Sequence, residues 1–174
     1  GRSFIDGEPA AKKILGRVPV TLFINFASVI LMLGIAVPVG VAGAVHRGSV
    51  FDKISTVFVF MLFSMPALWV ALIFMSFFGV NLGWFPVSGL VSIDFDRMGI
   101  IDKTIDIAWH AFLPVVITAL GGICVISRYM RDRMLGVLNE DYIRTARAKG
   151  LSERAVIYKH GLRNALLPII TIIG

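Results

Sequence analysis

Apolar positions in this chain come in long unbroken stretches rather than in the one-sided patterns of a soluble domain. No Asp, Glu, Lys or Arg occurs in the 28 residues from Val18 to Val45, the 40 from Ile54 to Ile93, or the 21 from Ile107 to Ser127. A helix needs about 20 predominantly apolar residues to cross a bilayer. The first and third stretches therefore predict one span each, at about 18–45 and 107–127. The first would be about 42 Å long as a straight helix, so it tilts, kinks or protrudes from a core of about 30 Å. The second stretch is too long for one span. Turn chemistry at Gly79-Val80-Asn81-Leu82-Gly83-Trp84-Phe85-Pro86 predicts a span at about 54–78 and a loop at 79–106. A fourth apolar run, Ala165–Gly174, starts another span at about 165. The expected fold is all-α, a polytopic transmembrane helical bundle forming a single membrane domain, with a helix–turn–helix loop at 128–163.

Composition agrees with the pattern. Hydrophobic residues are 57% of the chain and charged residues 16%, against about 45–50% and about 25% in soluble domains. Disordered, collagen-like and disulfide-scaffold chains are excluded. Three apolar segments and the start of a fourth leave too little polar surface to cover a soluble globule. The sequence opens without Met and stops inside an apolar run, and a half-span leaves its backbone end groups unsatisfied in lipid. The expectation is a piece of a longer membrane protein, lacking sequence at the C-terminus and at the N-terminus.

Charge sets the expected orientation. Segment 128–163 carries nine Lys/Arg against four acids, and segment 94–106 carries Arg97 and Lys103 against four Asp. Basic loops face the cytoplasm, so 128–163 and 46–53 are expected inside and 79–106 outside. That places residues 1–17, with four basic groups, outside as well. Trp84 and Trp109 fit an aromatic belt at the external interface. The spans hold no Asp, Glu, Lys or Arg, and His110 sits at an edge. Ion-coupled carriers place such groups within their spans, so energy for transport is expected from elsewhere. Pro38, Pro66 and Pro114, with Gly34, Gly40, Gly43, Gly121 and Gly122, fit either simple close packing or bent helices around a gated path.

The segment 128–163 is the informative part. Asn139 is expected to cap a helix at about 140–149, with Glu140 and Asp141 in its first turn and Arg147 and Lys149 in its last. Gly150 is expected to hold a positive φ at its C-terminal end. Ser152 then caps a second helix whose apolar face runs through Leu151, Ala155, Tyr158, Leu162 and Leu166. The two helices meet as an elbow. Leu151 and Val156 are expected to offer apolar contacts, and Glu153, Arg154 and Lys159 a charged rim, to a docking partner. A basic helix–turn–helix suggests nucleic acid, but this one is strung between two spans without a free recognition helix, so no nucleic-acid partner is expected. An elbow lying on anionic lipid remains the alternative to docking.

The run Tyr142-Ile143-Arg144-Thr145-Ala146-Arg147-Ala148-Lys149-Gly150-Leu151-Ser152-Glu153-Arg154, followed by His160-Gly161-Leu162-Arg163-Asn164-Ala165-Leu166-Leu167-Pro168, resembles the "EAA" loop of binding-protein-dependent ABC importer permeases. More narrowly, it is similar to the dipeptide/oligopeptide/nickel branch. Ala146 and Gly150 match the general E-A-A-x-x-x-G pattern, while Arg144 and Thr145 replace its Glu and first Ala, as in that branch. Pro19-Val20-Thr21-Leu22 and Gly83-Trp84-Phe85-Pro86-Val87-Ser88-Gly89 extend the likeness over essentially the whole chain.

The resemblance implies a permease subunit, not an enzyme, that moves short peptides, nickel chelates or glutathione-like peptides across a bacterial or archaeal inner membrane. It implies that the present spans are the second to fourth, with the first span and the C-terminal spans missing. It implies cytoplasmic ATP-binding subunits, a second permease subunit, an extracytoplasmic solute-binding protein and membrane lipid as partners, with no cofactor. The chain has no G-x-x-x-x-G-K-[ST] loop of its own. The expected ATPase-coupling residues are Arg144, Thr145, Ala146, Gly150, Leu151, Ser152, Glu153, Arg154, Val156 and Lys159. A non-transport membrane anchor or sensor is the alternative reading.

Overall fold

A computed structural model describes residues 9–173, which are mostly helical, with a largely irregular connection at 82–99 and no strand among them. Helix α1 is Ala10–Val45, α2 Val50–Ser64, α3 Ala67–Phe74 and α4 Ile100–Leu138. Helices α5, Asp141–Ala148, and α6, Arg163–Ile173, follow. Two π-helical stretches, Met75–Asn81 and Ala155–Leu162, continue α3 and lead into α6 respectively. Ala11–Val45 and Ile100–Leu138 are long and apolar enough to cross a membrane, and the bent pair formed by α2 and the helix after it makes a third if taken as one broken span. The all-α membrane architecture expected from the apolar stretches is present.

The boundaries differ from expectation in physically readable ways. The stretch 54–78 is not one straight helix. It breaks at Met65, whose backbone is extended (φ −85°, ψ 135°), because the Pro66 ring bars its predecessor from the α region. Helix α4 does not stop at Ser127. It runs eleven residues further, to Leu138, carrying Met130 and Met134, both fully buried. The first part of the expected loop is thus the end of a helix with a packed face.

The described residues form two compact units, one from 9–31 with 70–119, the other from 32–69 with 120–173. In the first, the Ser28 hydroxyl donates to Val115 O at 3.1 Å, joining α1 to α4. Phe85 stacks on Phe112, with ring centroids 4.3 Å apart. The Asp106 carboxylate accepts from the Ser92 hydroxyl and, at 2.9 Å, from the Ser92 N–H. These two donors hold its carboxyl below the usual carboxylate range. In the second unit, Ala36, Val41 and Ala44 of α1, Ile126, Met130 and Met134 of α4, and Ala165 and Ile169 of α6 share one core. Gly40 makes the approach of α1 to α4 possible. A Cβ there would lie 2.7 Å from Met130 Cβ and from Ser127 O, closer than packed atoms allow.

Candidate functional site

The elbow is built by local rules. Helix α5 starts after Glu140, whose extended backbone (φ −69°, ψ 150°) makes it the N-cap residue. Asn139, expected in that role, instead donates its side-chain amide to Leu135 O at 2.8 Å, closing the last turn of α4. The far end of α5 is a Schellman closure: Gly150 N–H donates to Arg147 O at 2.9 Å and Leu151 N–H to Ala146 O at 3.3 Å. Gly150 has φ +79°, the left-handed conformation expected of it and one that costs a side-chain-bearing residue strain. Ser152 caps the second limb as expected, its hydroxyl accepting from Ala155 N–H at 3.4 Å.

Three further features fix the angle between the limbs. Ile143 and Ala146 of α5 pack against Val156 of the second limb in a small buried cluster. Arg147 spans the turn, its Nε donating to Glu153 Oε1 at 2.7 Å. The Asn164 amide donates to the Tyr142 hydroxyl at 2.8 Å. Val156 is 0% exposed, so it holds the elbow together and offers no apolar surface to a partner; Ala146 is buried beside it. Leu151 is 36% exposed at the tip. Arg144, Thr145, Gly150, Ser152, Glu153, Arg154 and Lys159 are exposed too, on the two limbs and the turn. Of the ten residues expected at this site, eight form a surface and two its support.

The second limb does not follow the expected apolar face. Its buried positions are Val156, Gly161, Ala165 and Ile169, and Tyr158 is exposed. The step from 156 to 161 is five residues, the i→i+5 spacing of the π winding, whereas the expected face assumed α spacing. Gly161 lets the limb lie close against α4, since a Cβ there would lie 3.3 Å from Met134 Cε.

One feature at the base of the elbow went unread in the sequence. Arg131 on α4 donates from Nε to Asp52 Oδ1 at 2.6 Å and from Nη2 to Asp52 Oδ2 at 2.8 Å. Gly48 N–H adds a third donor at 2.9 Å. The Arg131 hydrogen bonds, then that of Gly48, hold the Asp52 carboxyl down to about 2, and Asp52 in turn holds the guanidinium above its ordinary value. The spacing Ser49-x-x-Asp52, a helix-start signature, was the available clue to Asp52. Ser49 does cap α2, its hydroxyl accepting from Asp52 N–H at 3.2 Å. Nothing local announces a partner 79 positions away. Among the described residues no group of three or more His, Cys, Asp or Glu side chains gathers as a metal site requires. The arrangement is mechanical in character: a stiff, exposed elbow on a buried ionic base.

Compared with known proteins, residues 36–174 match the family profile described as "Binding-protein-dependent transport system inner membrane component". The chain is 43% identical over 168 residues to an oligopeptide transport system permease protein of Bacillus subtilis (strain 168), covering 97% of this chain and 52% of that protein. It is 37% identical to a di/tripeptide transport system permease protein of Pseudomonas aeruginosa (strain UCBPP-PA14), covering 100% of this chain and 56% of that protein. It is also 37% identical to a dipeptide transport system permease protein of Escherichia coli (strain K12), covering 95% of this chain and 54% of that protein. The chain thus spans about half the length of the curated relatives it matches.

Proposed function

Since the chain belongs to the binding-protein-dependent transport system inner membrane component family, we propose that it is part of a permease subunit that passes short peptides across an inner membrane. Relatives named for oligopeptide, dipeptide and di/tripeptide transport favour peptides over nickel chelates as the solute. The elbow faces the cytoplasm and docks on a separate ATP-hydrolysing subunit, with a second permease subunit and an external solute-binding protein completing the importer. The observation that carries this reading is the elbow's construction. A Schellman turn, a buried cluster and a cross-limb ion pair stiffen an elbow whose tip exposes Leu151, with Arg144, Arg154 and Lys159 exposed on the same elbow. A central apolar anchor inside a polar rim is the usual anatomy of a docking patch. A stiff body joined to α4 on one side and α6 on the other turns movement of a partner into movement of helices.

Leu151→Asp in the full-length permease tests it. The variant is expected to insert normally, to lose co-purification of the ATP-hydrolysing subunit, and to abolish peptide uptake. Retained co-purification, with hydrolysis still responding to loaded binding protein, overturns the docking assignment. Orientation is checked separately by thiol labelling of intact cells: a cysteine at Asp96 is expected to react with an impermeant reagent, and one at Lys149 is not.

A further inference from the structure

Arg131 and Asp52 lie outside the docking patch, yet they stand where three elements converge. Gly43 of α1 faces both: a Cβ there would lie 3.4 Å from Arg131 Cδ and 3.4 Å from Asp52 Oδ1. Gly40, one turn earlier, lies against α4 at Ser127 O, Met130 Cβ and Arg131 N. The carboxylate also anchors the turn between α1 and α2 through Gly48 N–H. Three residues further along α4, Met134 meets Gly161 in the second limb of the elbow. Residues three apart on a helix share a face, so one short face of α4 touches the elbow with Met134 and the α1–α2 turn with Arg131.

These two contacts differ in stiffness. Methionine side chains readjust to a moving neighbour. A guanidinium fork bonded twice to a carboxylate fixes both distance and direction. Burying such a pair is a poor way to gain stability, because well-packed apolar residues of similar volume commonly do as well or better. What the ionic pair adds over an apolar one is a fixed register between α4 and the start of α2.

We propose that Arg131 and Asp52 are positioning residues for transport, a latch that makes the α1–α2 turn and the start of α2 follow α4 when the elbow is displaced. The proposal rests on the reading of the elbow as the docking element. Breaking the latch uncouples ATP hydrolysis from solute movement while leaving the docking patch intact.

The test uses the full-length permease assembled with its partner subunits in proteoliposomes and a labelled mixture of di- to hexapeptides. Three quantities are read: yield of assembled complex, ATP hydrolysed, and peptide taken up. Asp52→Asn, which keeps size and removes charge, is expected to assemble with its ATP-hydrolysing subunits and to move at least about fivefold less peptide per ATP. The exchanged pair, Asp52→Arg with Arg131→Asp, is expected to return to within about twofold of wild type. An assembled Asp52→Asn complex with wild-type peptide per ATP overturns the latch. If Asp52→Asn does not accumulate, the exchanged pair decides by the same ratio. If neither accumulates, the pair is only a folding requirement and the proposal fails. A wild-type complex that moves no peptide strikes the functional reading itself, whereas a wild-type complex matched by Asp52→Asn strikes the latch alone.

Discussion

Of the arginine–carboxylate pairs in the second compact unit, two join residues far enough apart to tie separate segments together, Arg131–Asp52 at the base of the elbow and Arg147–Glu153 across its turn. Their leading bonds are nearly the same, 2.6 Å from Arg131 Nε to Asp52 and 2.7 Å from Arg147 Nε to Glu153. Their surroundings are not. The Arg131 and Asp52 side chains are 17% and 5% exposed, those of Arg147 and Glu153 42% and 61%. Geometry alone would rank the pairs as equals; access of water separates them. At the exposed pair, water replaces whatever a substitution removes, and salt screens what remains. At the buried pair, removing Arg131 leaves the Asp52 carboxylate, 5% exposed, without its charged partner. The base of the elbow is therefore brittle to single changes, and its turn is tolerant.

The largest effect that bears on this contrast is expected from Arg131→Ala. It strands the Asp52 carboxylate and is expected to cost about 3–5 kcal/mol, read as a lower unfolding temperature of the detergent-solubilised protein. A loss below about 1 kcal/mol, the level of an exposed pair, would erase the distinction.

Acid provides a second measure. Asp52 titrates from the ordinary 3.8 down to about 2 in the folded chain. A carboxyl whose folded value is depressed stabilises the fold above its unfolded value, and that contribution disappears as pH falls through the folded value. The advantage of wild type over Asp52→Asn that comes from this shift, about 2 kcal/mol, is expected to be full above about pH 5 and to decline toward pH 2. A difference that stays flat across that range would show that the carboxylate charge is not what holds the turn.

Smaller still is the expected effect of Gly150→Val, about 1–2 kcal/mol, because the residue must keep φ +79°. Proteolysis at the turn is expected to rise with it. Glu153→Gln is expected to change stability by under about 1 kcal/mol and to lose even that at high salt. A larger, salt-resistant loss would move this pair into the same class as its buried counterpart.

Legibility in the sequence follows how local each cause is. The apolar stretches, the positive φ of Gly150 and the cap at Ser152 depend on neighbours within a few residues, and each was readable. Helix α5 starts one residue later than its sequence predicts, because Asn139 closes α4 and Glu140 takes the N-cap position. The broken course of 54–78 was half-visible: Pro66 stood in plain view, but its length suggested one span. The buried face of the second limb departs from α spacing because the segment is π-wound, and nothing local in its sequence signals that winding. Val156 looked like a docking contact from its apolar character alone, since only the fold brings Ile143 over it. Nothing near Asp52 or Arg131 in the sequence marks them as a pair, because their meeting depends on Gly40 admitting α4 to the side of α1.

The π winding of Ala155–Leu162 separates two quantities that an ordinary helix locks together, the length of the chain and the azimuth of the next helix. An α-helix turns by about 100° per residue, so counting residues fixes direction. A π-turn takes up about one extra residue without passing that rotation on. Rewound as α-helix with no residue removed, the face that carries Val156 would run on to Arg163 and Leu167, seven and eleven positions later. A guanidinium would then turn toward the core that now receives Ala165 and Ile169. Removing one residue from the stretch would allow α winding and leave the azimuth of α6 as it stands. The segment holds about one residue more than α winding would place there, and the aim of α6 depends on the π winding that takes it up.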